Sequence, residues 1–250
     1  MTRKPYAHLL VARTRASKIR RLLRRPQLWR ATALGLRDGV FPSLEHASVR
    51  FGAQFATVLD VGASRGQFAL FALSRFPGAK LICFEPLPEA RAIAHKVLEG
   101  RDIELHGVAL GSSPGETALH VSARDDSSSL LPIGSQQIAA FPGTQESHEI
   151  VVSVDVLETY LAKDIARPCL LKIDVQGYEL DVLRGAGLGL SCVDEIFVEV
   201  SFVELYTGQA LADDVIRYLA EHGFRLTDIH DVVRAADGMA LQADMLFGRQ

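Results

Sequence analysis

The stretch VLDVGASRGQ at residues 58–67 decides the fold. It joins an apolar run, typical of a buried strand, to a helical pattern through a turn that contains Gly62 and Gly66. Glycine permits positive φ and lets a ligand approach the backbone, and the start of a helix offers N–H groups to an anion. The spacing G-x-x-x-G differs from the G-x-G-x-x-G fingerprint of dinucleotide-binding proteins, which disfavours an NAD-dependent oxidoreductase.

Strands and helices alternate along the chain after this turn. The pattern predicts strands at 56–62, 79–86, 103–111, 116–122, 167–177 and 193–201, helices at 67–76, 89–100, 178–186 and 212–223, and a strand followed by a short helix at 148–161. Two final strands surround a turn at Asp237-Gly238. Short connections between such elements are the signature of a parallel, doubly wound α/β sheet with right-handed crossovers.

Four acidic residues lie at or near the ends of predicted strands: Asp60, Glu85, Asp174 and Glu199. Because ligands of open α/β sheets bind beyond the carboxyl ends of the strands, we expect these acids to share one rim. Glu85 stands 19 residues after Gly66, close to the spacing at which an acid accepts hydrogen bonds from the ribose hydroxyls of a nucleoside. Asp174 and Glu199 are candidates for a general base or for ligands of a hard metal ion.

Seven segments of the chain are similar to the FkbM family of S-adenosylmethionine-dependent methyltransferases. They are VLDVGASRGQFA (58–69), ICFEPLPE (82–89), VALG (108–111), SSSLLP (127–132), VDVLETYL (154–161), LLKIDVQGYELDVLRGA (170–186) and FVEVS (197–201). The resemblance covers residues 57–248, and KIDVQGYELDVLRGA is its most specific part. Gln176 departs from the family pattern, which often has Glu at this position. The change removes a negative charge from the rim and weakens the assignment of a metal there.

The resemblance implies a Rossmann-like class I methyltransferase fold, with a doubly wound sheet of seven strands in the order 3-2-1-4-5-7-6 and the last strand antiparallel. We predict this domain at residues 51–250, after a basic helical arm at residues 1–50. The resemblance also implies S-adenosylmethionine as the cofactor. The residues that would bind it are Asp60, Gly62, Ala63 and Gly66 at the methionine, Glu85 and Pro86 at the ribose, and Ala109 and Leu110 near the adenine.

The activity that the resemblance implies is O-methylation. Members of the family methylate hydroxyls, often on sugars of glycolipids, polysaccharides or natural products, so we expect a saccharide acceptor, either free or linked to a lipid. A sugar hydroxyl must lose its proton, and the candidate bases are Asp174, Glu199 and His148. Of these, Asp174 and Glu199 are predicted to be the catalytic residues. Mg²⁺ is a further candidate cofactor, since a metal can also promote the loss of the proton.

The loop at 124–147 is the candidate lid over the acceptor. It is rich in Ser, Gly and Pro and has little periodicity. A long loop in a compact domain is usually functional or disordered. We therefore expect Asp125, Asp126 and the serines at 127–129 to form hydrogen bonds with sugar hydroxyls.

Positive charge is concentrated in the N-terminal arm. Residues 1–40 hold 11 lysines and arginines and one acid, a net charge of +10, whereas the remainder of the chain carries −13. Ile19, Leu22 and Leu23 recur at helical spacing among the arginines, which predicts a basic amphipathic helix that breaks near Pro26. Such a helix can rest on anionic lipid at the inner membrane surface. The acidic body of the protein disfavours nucleic acid as a partner.

The cysteine content and the hydropathy pattern predict a cytoplasmic protein. Three cysteines, an odd number, argue against a disulfide framework and favour buried thiols in a reducing compartment. The arm lacks the uninterrupted apolar core of a secretory signal. No apolar run reaches the roughly 18 residues that a membrane span needs.

Two alternative functions remain open at the level of the sequence. Residues 62–66 fit G-x-S-x-G, so Ser64 could be the nucleophile of an α/β-hydrolase, with Asp174 and His230 in the required chain order. Against this, the turn follows the first strand, no HGGG-type segment precedes it, and two of the rim acids would have no role. The other alternative is a cofactor-binding scaffold of the same fold without catalytic activity.

Overall fold

A computed structural model describes residues 29–36, 38–161 and 165–250. Its strands are β1 (Thr57–Val61), β2 (Lys80–Phe84), β3 (Ile103–His106), β4 (Ala109–Leu110), β5 (Gly115–Ser122), β6 (Glu146–Asp155), β7 (Cys169–Ile173), β8 (Glu195–Ser201), β9 (Phe224–Arg234) and β10 (Ala240–Arg249). Its α-helices are α1 (Trp29–Leu36), α2 (Gln67–Arg75), α3 (Pro88–Val97), α4 (Ser135–Ala140), α5 (Glu179–Gly185) and α6 (Ala212–Glu221).

Seven of these strands form the main sheet, in the order β3-β2-β1-β7-β8-β10-β9. The first five of them pair in parallel, whereas β10 is antiparallel to both β8 and β9. This is the predicted order 3-2-1-4-5-7-6 with an antiparallel last strand, so the Rossmann-like prediction is confirmed. β1 and β7 lie at the centre and are buried along their whole length, as expected for parallel strands covered on both faces.

The register of the sheet brings charged residues together on one face. Paired residues of neighbouring strands point their side chains to the same side. Asp60 in β1 pairs with Lys172 in β7, and Glu199 in β8 pairs with Asp244 in β10. Helix α2 packs on this face, where the ring of Phe68 lies 5.6 Å from the Lys172 ammonium. The face therefore carries a polar row toward the carboxyl ends of the central strands.

A second, smaller sheet has the order β4-β6-β5. The single strand predicted at 103–111 is wrong, because the chain divides there into β3 of the main sheet and β4 of the second sheet. The division follows Gly107, where a Cβ would lie only 2.2 Å from the Arg91 guanidinium. The predicted irregular loop at 124–147 also needs correction, because it contains a 3₁₀ turn (Asp125–Ser127) and α4. Both elements are too short to produce a readable periodicity.

The described part of the N-terminal arm packs on the domain. Val40, Leu44 and Val49 belong to the same buried cluster as the residues of α2, and a 3₁₀ turn (Glu45–Ser48) lies between Leu44 and Val49. The predicted basic helix that breaks near Pro26 falls outside the described residues. Within the described ranges, no helix has the length and apolar character needed to cross a membrane. The boundary between arm and domain at residue 50 stays a prediction.

Candidate active site

A cavity of about 390 Å³ opens at the carboxyl ends of the central strands. Its wall consists of Ser43, Glu45 and His46 before β1, residues 61–64 after β1, Gln67 and Phe68 of α2, Phe84–Pro86, residues 108–110, Leu119, Asp126 and residues 128–130, Lys172, residues 174–176, Tyr178, Glu199, Asp231, Val233 and Asp244. This is the place where ligands bind in open α/β sheets. Three of the four predicted rim acids, Glu85, Asp174 and Glu199, line it.

The glycine turn forms one side of the cavity. Gly62 has φ +77°, and a Cβ at this position would lie 1.9 Å from the Asp174 carbonyl oxygen, so only glycine fits. Gly66 has φ +89° and immediately precedes α2. The N–H groups of Gly62 and Ala63 both donate to the Phe84 carbonyl, at 3.1 and 3.0 Å. These two N–H groups already donate to the protein backbone. The turn therefore contributes a close backbone surface to the cavity, and these two donors are not available to a ligand.

Behind the turn lies a buried ion pair. Asp60 is fully buried, and its Oδ1 lies 3.0 Å from the Lys172 ammonium, which also donates to the Gly62 carbonyl at 2.9 Å. Burial raises the pKa of Asp60, and Lys172 limits the rise. Burial alone would lower the pKa of Lys172, but Asp60 and Asp174 outweigh it and hold that pKa above its usual range. Asp60 thus shapes the turn from behind the cavity wall.

Glu85 is held by the backbone at the end of β2. Its Oε2 accepts the Ser64 N–H and its Oε1 accepts the Leu87 N–H, both at 2.8 Å. The residue is only 7% exposed, and this burial raises its pKa to about 7, although the two N–H donors oppose the rise. Pro86, Ala109 and Leu110 line the cavity beside it. The predicted cofactor residues Gly62, Ala63, Glu85, Pro86, Ala109 and Leu110 therefore share one cavity.

Asp174 and Glu199, the predicted catalytic pair, are joined by the side chain of Gln176. The Gln176 Nε2 donates to Asp174 Oδ1 at 2.8 Å and to Glu199 Oε2 at 2.9 Å. Glu199 Oε2 accepts a further hydrogen bond from Gln242 at 3.0 Å. Burial raises the pKa of Glu199 well above its usual range, and the negative charge of Asp174 adds to this rise. The structure therefore places the two predicted carboxyl groups together in the cavity.

A second polar cluster lies in the same cavity and was not predicted. His46 Nε2 lies 3.2 Å from Asp244 Oδ2, and ligand atoms of His46, Asp231 and Asp244 all lie within 4.8 Å of one another. Burial alone would lower the pKa of His46, but the hydrogen bond and charge of Asp244 outweigh it and raise that pKa. Asp231 reaches this cluster from an irregular part of β9, with φ +44°. This set of groups is one that could hold a metal ion.

Residues 60–226 match the methyltransferase FkbM domain. The chain belongs to this family. The matched range begins at Asp60 in β1 and contains the glycine turn, Glu85, Asp174 and Glu199. The resemblance drawn from the sequence segments is therefore confirmed. The second polar cluster lies outside the matched range, because His46 precedes it and Asp231 and Asp244 follow it.

Three named relatives show the extent of this similarity. Methyltransferase 1 of Beauveria bassiana is 28% identical over 145 residues, which cover 51% of this chain and 57% of that protein. The 2-O-methyltransferase NoeI of Sinorhizobium fredii is 29% identical over 160 residues, covering 61% and 66%. The 31-O-demethyl-FK506 methyltransferase FkbM of Streptomyces tacrolimicus is 30% identical over 210 residues, covering 70% and 78%. The chain spans less than two thirds of the length of the first two relatives.

Two predicted residues of the FkbM-family chain lie away from the cavity. His148 is exposed on β6, so its proposed role as a base has no support from its position. His230 lies 3.1 Å from Asp228 and does not line the cavity that Ser64 lines. The described residues therefore do not assemble the Ser64, Asp174 and His230 arrangement that a hydrolase would need.

Other residues of the site escaped the sequence analysis for different reasons. Lys172 interrupts an apolar strand, and this isolated charge in LLKID was a signal for a buried ion pair. Tyr178 lines the cavity two residues after Gln176, but in the sequence it resembles any aromatic core residue. His46 lies within the segment assigned to the basic arm, where nothing in the local pattern connects it to residues of the last two strands.

Proposed function

We propose that this chain is an S-adenosylmethionine-dependent O-methyltransferase that methylates a hydroxyl of a sugar, in a glycolipid, a polysaccharide or a natural product. The observation that carries the proposal is the Glu85 carboxylate, fixed by two backbone N–H groups in the cavity that also contains Asp174 and Glu199. A nucleoside site and a pair of candidate bases are thus adjacent. Membership of the FkbM family supports methyl transfer, and the names of two relatives refer to O-methylation.

The residues of the cavity fit the cofactor. Glu85 offers a carboxylate that can accept hydrogen bonds from the ribose hydroxyls. Pro86, Ala109 and Leu110 offer an apolar wall for the adenine. Gly62 and Ala63 line the cavity where the methionine part would lie, while Asp60, which pairs with Lys172, and Gly66, which precedes α2, support the turn from outside the cavity. We assign all eight predicted cofactor residues to these roles.

The chemistry requires alignment of the acceptor and removal of one proton. When bound, S-adenosylmethionine supplies a methyl group that is already activated on a positively charged sulfur. Asp174 Oδ1 is occupied by the Gln176 amide, so Oδ2, which lies 3.9 Å from the Lys172 ammonium, is the atom that would take the proton of the acceptor hydroxyl. Glu199 would hold the same hydroxyl from the other side of Gln176.

The lid region favours a polyhydroxyl acceptor. Asp126, Ser128 and Ser129 line the cavity, and hydroxyl and carboxylate groups of this kind hydrogen-bond to sugar hydroxyls. The net charge of +10 in residues 1–40 supports a peripheral contact with anionic lipid, which would suit a lipid-linked acceptor and a cytoplasmic protein at the inner membrane surface. Mg²⁺ gains no support from the comparisons and is left out of this proposal.

The test is calorimetric binding of S-adenosylhomocysteine to the wild type and to Glu85→Gln. Loss of charge-assisted hydrogen bonds should weaken binding by about 1.5–3 kcal/mol, roughly ten- to a hundredfold. Glu89→Gln is the matched control, because Glu89 is exposed in the first turn of α3 and the change removes the same charge. Absence of binding to the folded wild type, or equal binding by both variants, would contradict the proposed cofactor site.

A further inference from the structure

Gln176 occupies an unusual place between two carboxyl groups. It follows β7 with φ +56°, in the left-handed region that residues with a Cβ seldom adopt. Its Nε2 contacts Asp174 Oδ1 at 2.8 Å and Glu199 Oε2 at 2.9 Å, so both of its N–H donors point to carboxylate oxygens. The side chain thus bridges the loop after β7 and strand β8.

The orientation of this amide is fixed by its neighbours. The fully buried Tyr206 hydroxyl lies 2.7 Å from Gln176 Oε1 and 3.1 Å from the Ser127 carbonyl oxygen, and the shorter distance favours donation to Gln176. The backbone carbonyl of Gln176 accepts the Ser129 hydroxyl at 2.7 Å. Rotating the amide by half a turn would place Oε1 against Asp174 and Glu199, where oxygen would face oxygen. The amide nitrogen is therefore held between the carboxyl groups.

Asp174 and Glu199 are two carboxyl groups held by one amide, and the Lys172 ammonium lies 3.9 Å from Asp174 Oδ2. Like charges disfavour each other, and proteins usually relieve this by protonating one carboxyl or by binding a hard cation between oxygen ligands. We propose that Gln176 is a positioning residue whose amide holds Asp174 and Glu199 together in the place that a divalent cation would otherwise take. This inference rests on the proposed function only in naming Asp174 as the base.

The arrangement leaves one oxygen of the base free. Because the amide takes Asp174 Oδ1, Oδ2 remains available at the cavity wall. Glu199 Oε2 already accepts two amide N–H groups, from Gln176 and Gln242. A cation that bridged the two carboxyl groups would compete with the Gln176 amide for Asp174 Oδ1 and Glu199 Oε2. The pair should therefore bind divalent cations poorly for as long as Gln176 is present.

The test is a Mn²⁺ titration of the full chain by calorimetry, with Gln176→Glu as the decisive variant. This change keeps the shape of the side chain but replaces a donor with a third carboxylate, which creates a set of oxygen ligands. We expect Gln176→Glu to bind one Mn²⁺ at least about tenfold more tightly than the wild type, and Asp174→Asn to abolish this gain. The melting temperature of Gln176→Glu should be lowered and should recover when Mn²⁺ is added, because a ligand of the folded state stabilises it.

Gln242→Glu is the matched control. Gln242 donates to Glu199 Oε2 at 3.0 Å but forms no hydrogen bond with Asp174, so the same charge change should not create the bridging site. All proteins carry Asp231→Asn, since His46, Asp231 and Asp244 are a separate group able to bind Mn²⁺ in the same cavity.

Three results would overturn the proposal. One is Mn²⁺ binding to the protein with Gln176 intact that is lost in Asp174→Asn, a measurement that does not require the Gln176 variant to fold. The others are the absence of a gain in folded Gln176→Glu, and an equal gain in Gln242→Glu. Binding of S-adenosylhomocysteine is measured in parallel, so failure of the cofactor site would be seen separately from failure of the amide bridge.

Discussion

The two ends of the cavity differ in how far apart along the chain their residues lie. The cofactor end comes mainly from residues 57–87, a strand–helix–strand unit with the loop that follows it, in which the N–H groups of Ser64 and Leu87 bind the Glu85 carboxylate. The proposed acceptor end contains Asp174 and Glu199, and beside Glu199 lies Asp244, which joins His46 and Asp231 in the second polar cluster. The first end lies within the range shared with the FkbM family, and this cluster of the second lies outside it. One cavity thus combines residues of the family range with residues outside it.

We expect Lys172→Met to cause the largest loss in the free energy of unfolding, and this variant tests whether the cofactor end depends on its buried ion pair. Removing the ammonium leaves Asp60 buried without its cation, and breaking such a pair costs about 3–5 kcal/mol of unfolding free energy. Urea unfolding measures the loss. Lys80→Met is the control, because Lys80 pairs with Glu104 at 2.6 Å while being 46% exposed, and such pairs contribute less than about 1 kcal/mol. Similar losses in both variants would contradict a special role for Asp60 and Lys172.

We expect Gly62→Ala to lower the free energy of unfolding by a smaller amount, and this variant tests the close approach of the turn to the end of β7. The new Cβ would meet the Asp174 carbonyl, and the alanine backbone would also have to adopt φ +77°. We expect about 2–4 kcal/mol of destabilisation. Gly78→Ala separates the two causes, since Gly78 has φ +85° but nothing lies within 4 Å of its added Cβ. Its expected cost is about 1–2 kcal/mol, from the backbone conformation alone. If the two variants lose the same stability, the close contact has no measurable consequence.

The pH dependence of cofactor binding tests the ionisation of Glu85 at the cofactor end in the unaltered protein. Glu85 has its pKa raised to about 7 by burial, and only the ionised form accepts hydrogen bonds at both oxygens. Protonation below pH 7 should therefore weaken S-adenosylhomocysteine binding, by about tenfold between pH 8 and pH 6. Glu85→Gln should bind weakly at both pH values, with no such slope. A slope that survives in Glu85→Gln would assign the titration to another group.

The smallest effect is expected from Asp244→Asn, which tests whether the two ends are independent. Asp244 contacts His46 and belongs to the cluster outside the family range. We expect S-adenosylhomocysteine affinity to change by less than about twofold, because Asp244 forms no hydrogen bond or ion pair with Glu85 or with the glycine turn, and sites without direct contact couple weakly. Calorimetry under the conditions used for Glu85→Gln measures it. A loss as large as that of Glu85→Gln would show that His46 and Asp244 are part of the cofactor site.

The sequence was informative where a function depends on neighbouring residues. The turn at 62–66 and the acid at Glu85 are separated by one helix, so their spacing predicted that they meet. The strand order followed from the family resemblance and agrees with the observed pairing. Asp174 and Glu199 were predicted to share a rim because parallel strands end at the same edge, and the structure places them on either side of Gln176.

The features of the fold and site that were not predicted depend on tertiary contacts, which local sequence patterns do not encode. His46 and Asp244 are brought together by the packing of the chain before β1 on the sheet, and no spacing rule connects them. The second sheet was missed because Ala109–Leu110 is too short to show alternation, and it pairs with a strand more than 40 residues later. The bridging role of Gln176 needed the positions of four other side chains.

The strands of the second sheet join the two ends of the cavity through backbone hydrogen bonds. Strand β4 carries Ala109 and Leu110 at the proposed adenine wall, and β6 joins it to β5. In β5, His120 exchanges two backbone hydrogen bonds with Ser129, whose segment lines the acceptor side. A ligand that contacts Ala109 and Leu110 therefore contacts the same small sheet to which the lid segment is hydrogen-bonded through Ser129. In kinetic terms, we expect ordered binding, in which the occupied nucleoside site sets the rate at which acceptors enter.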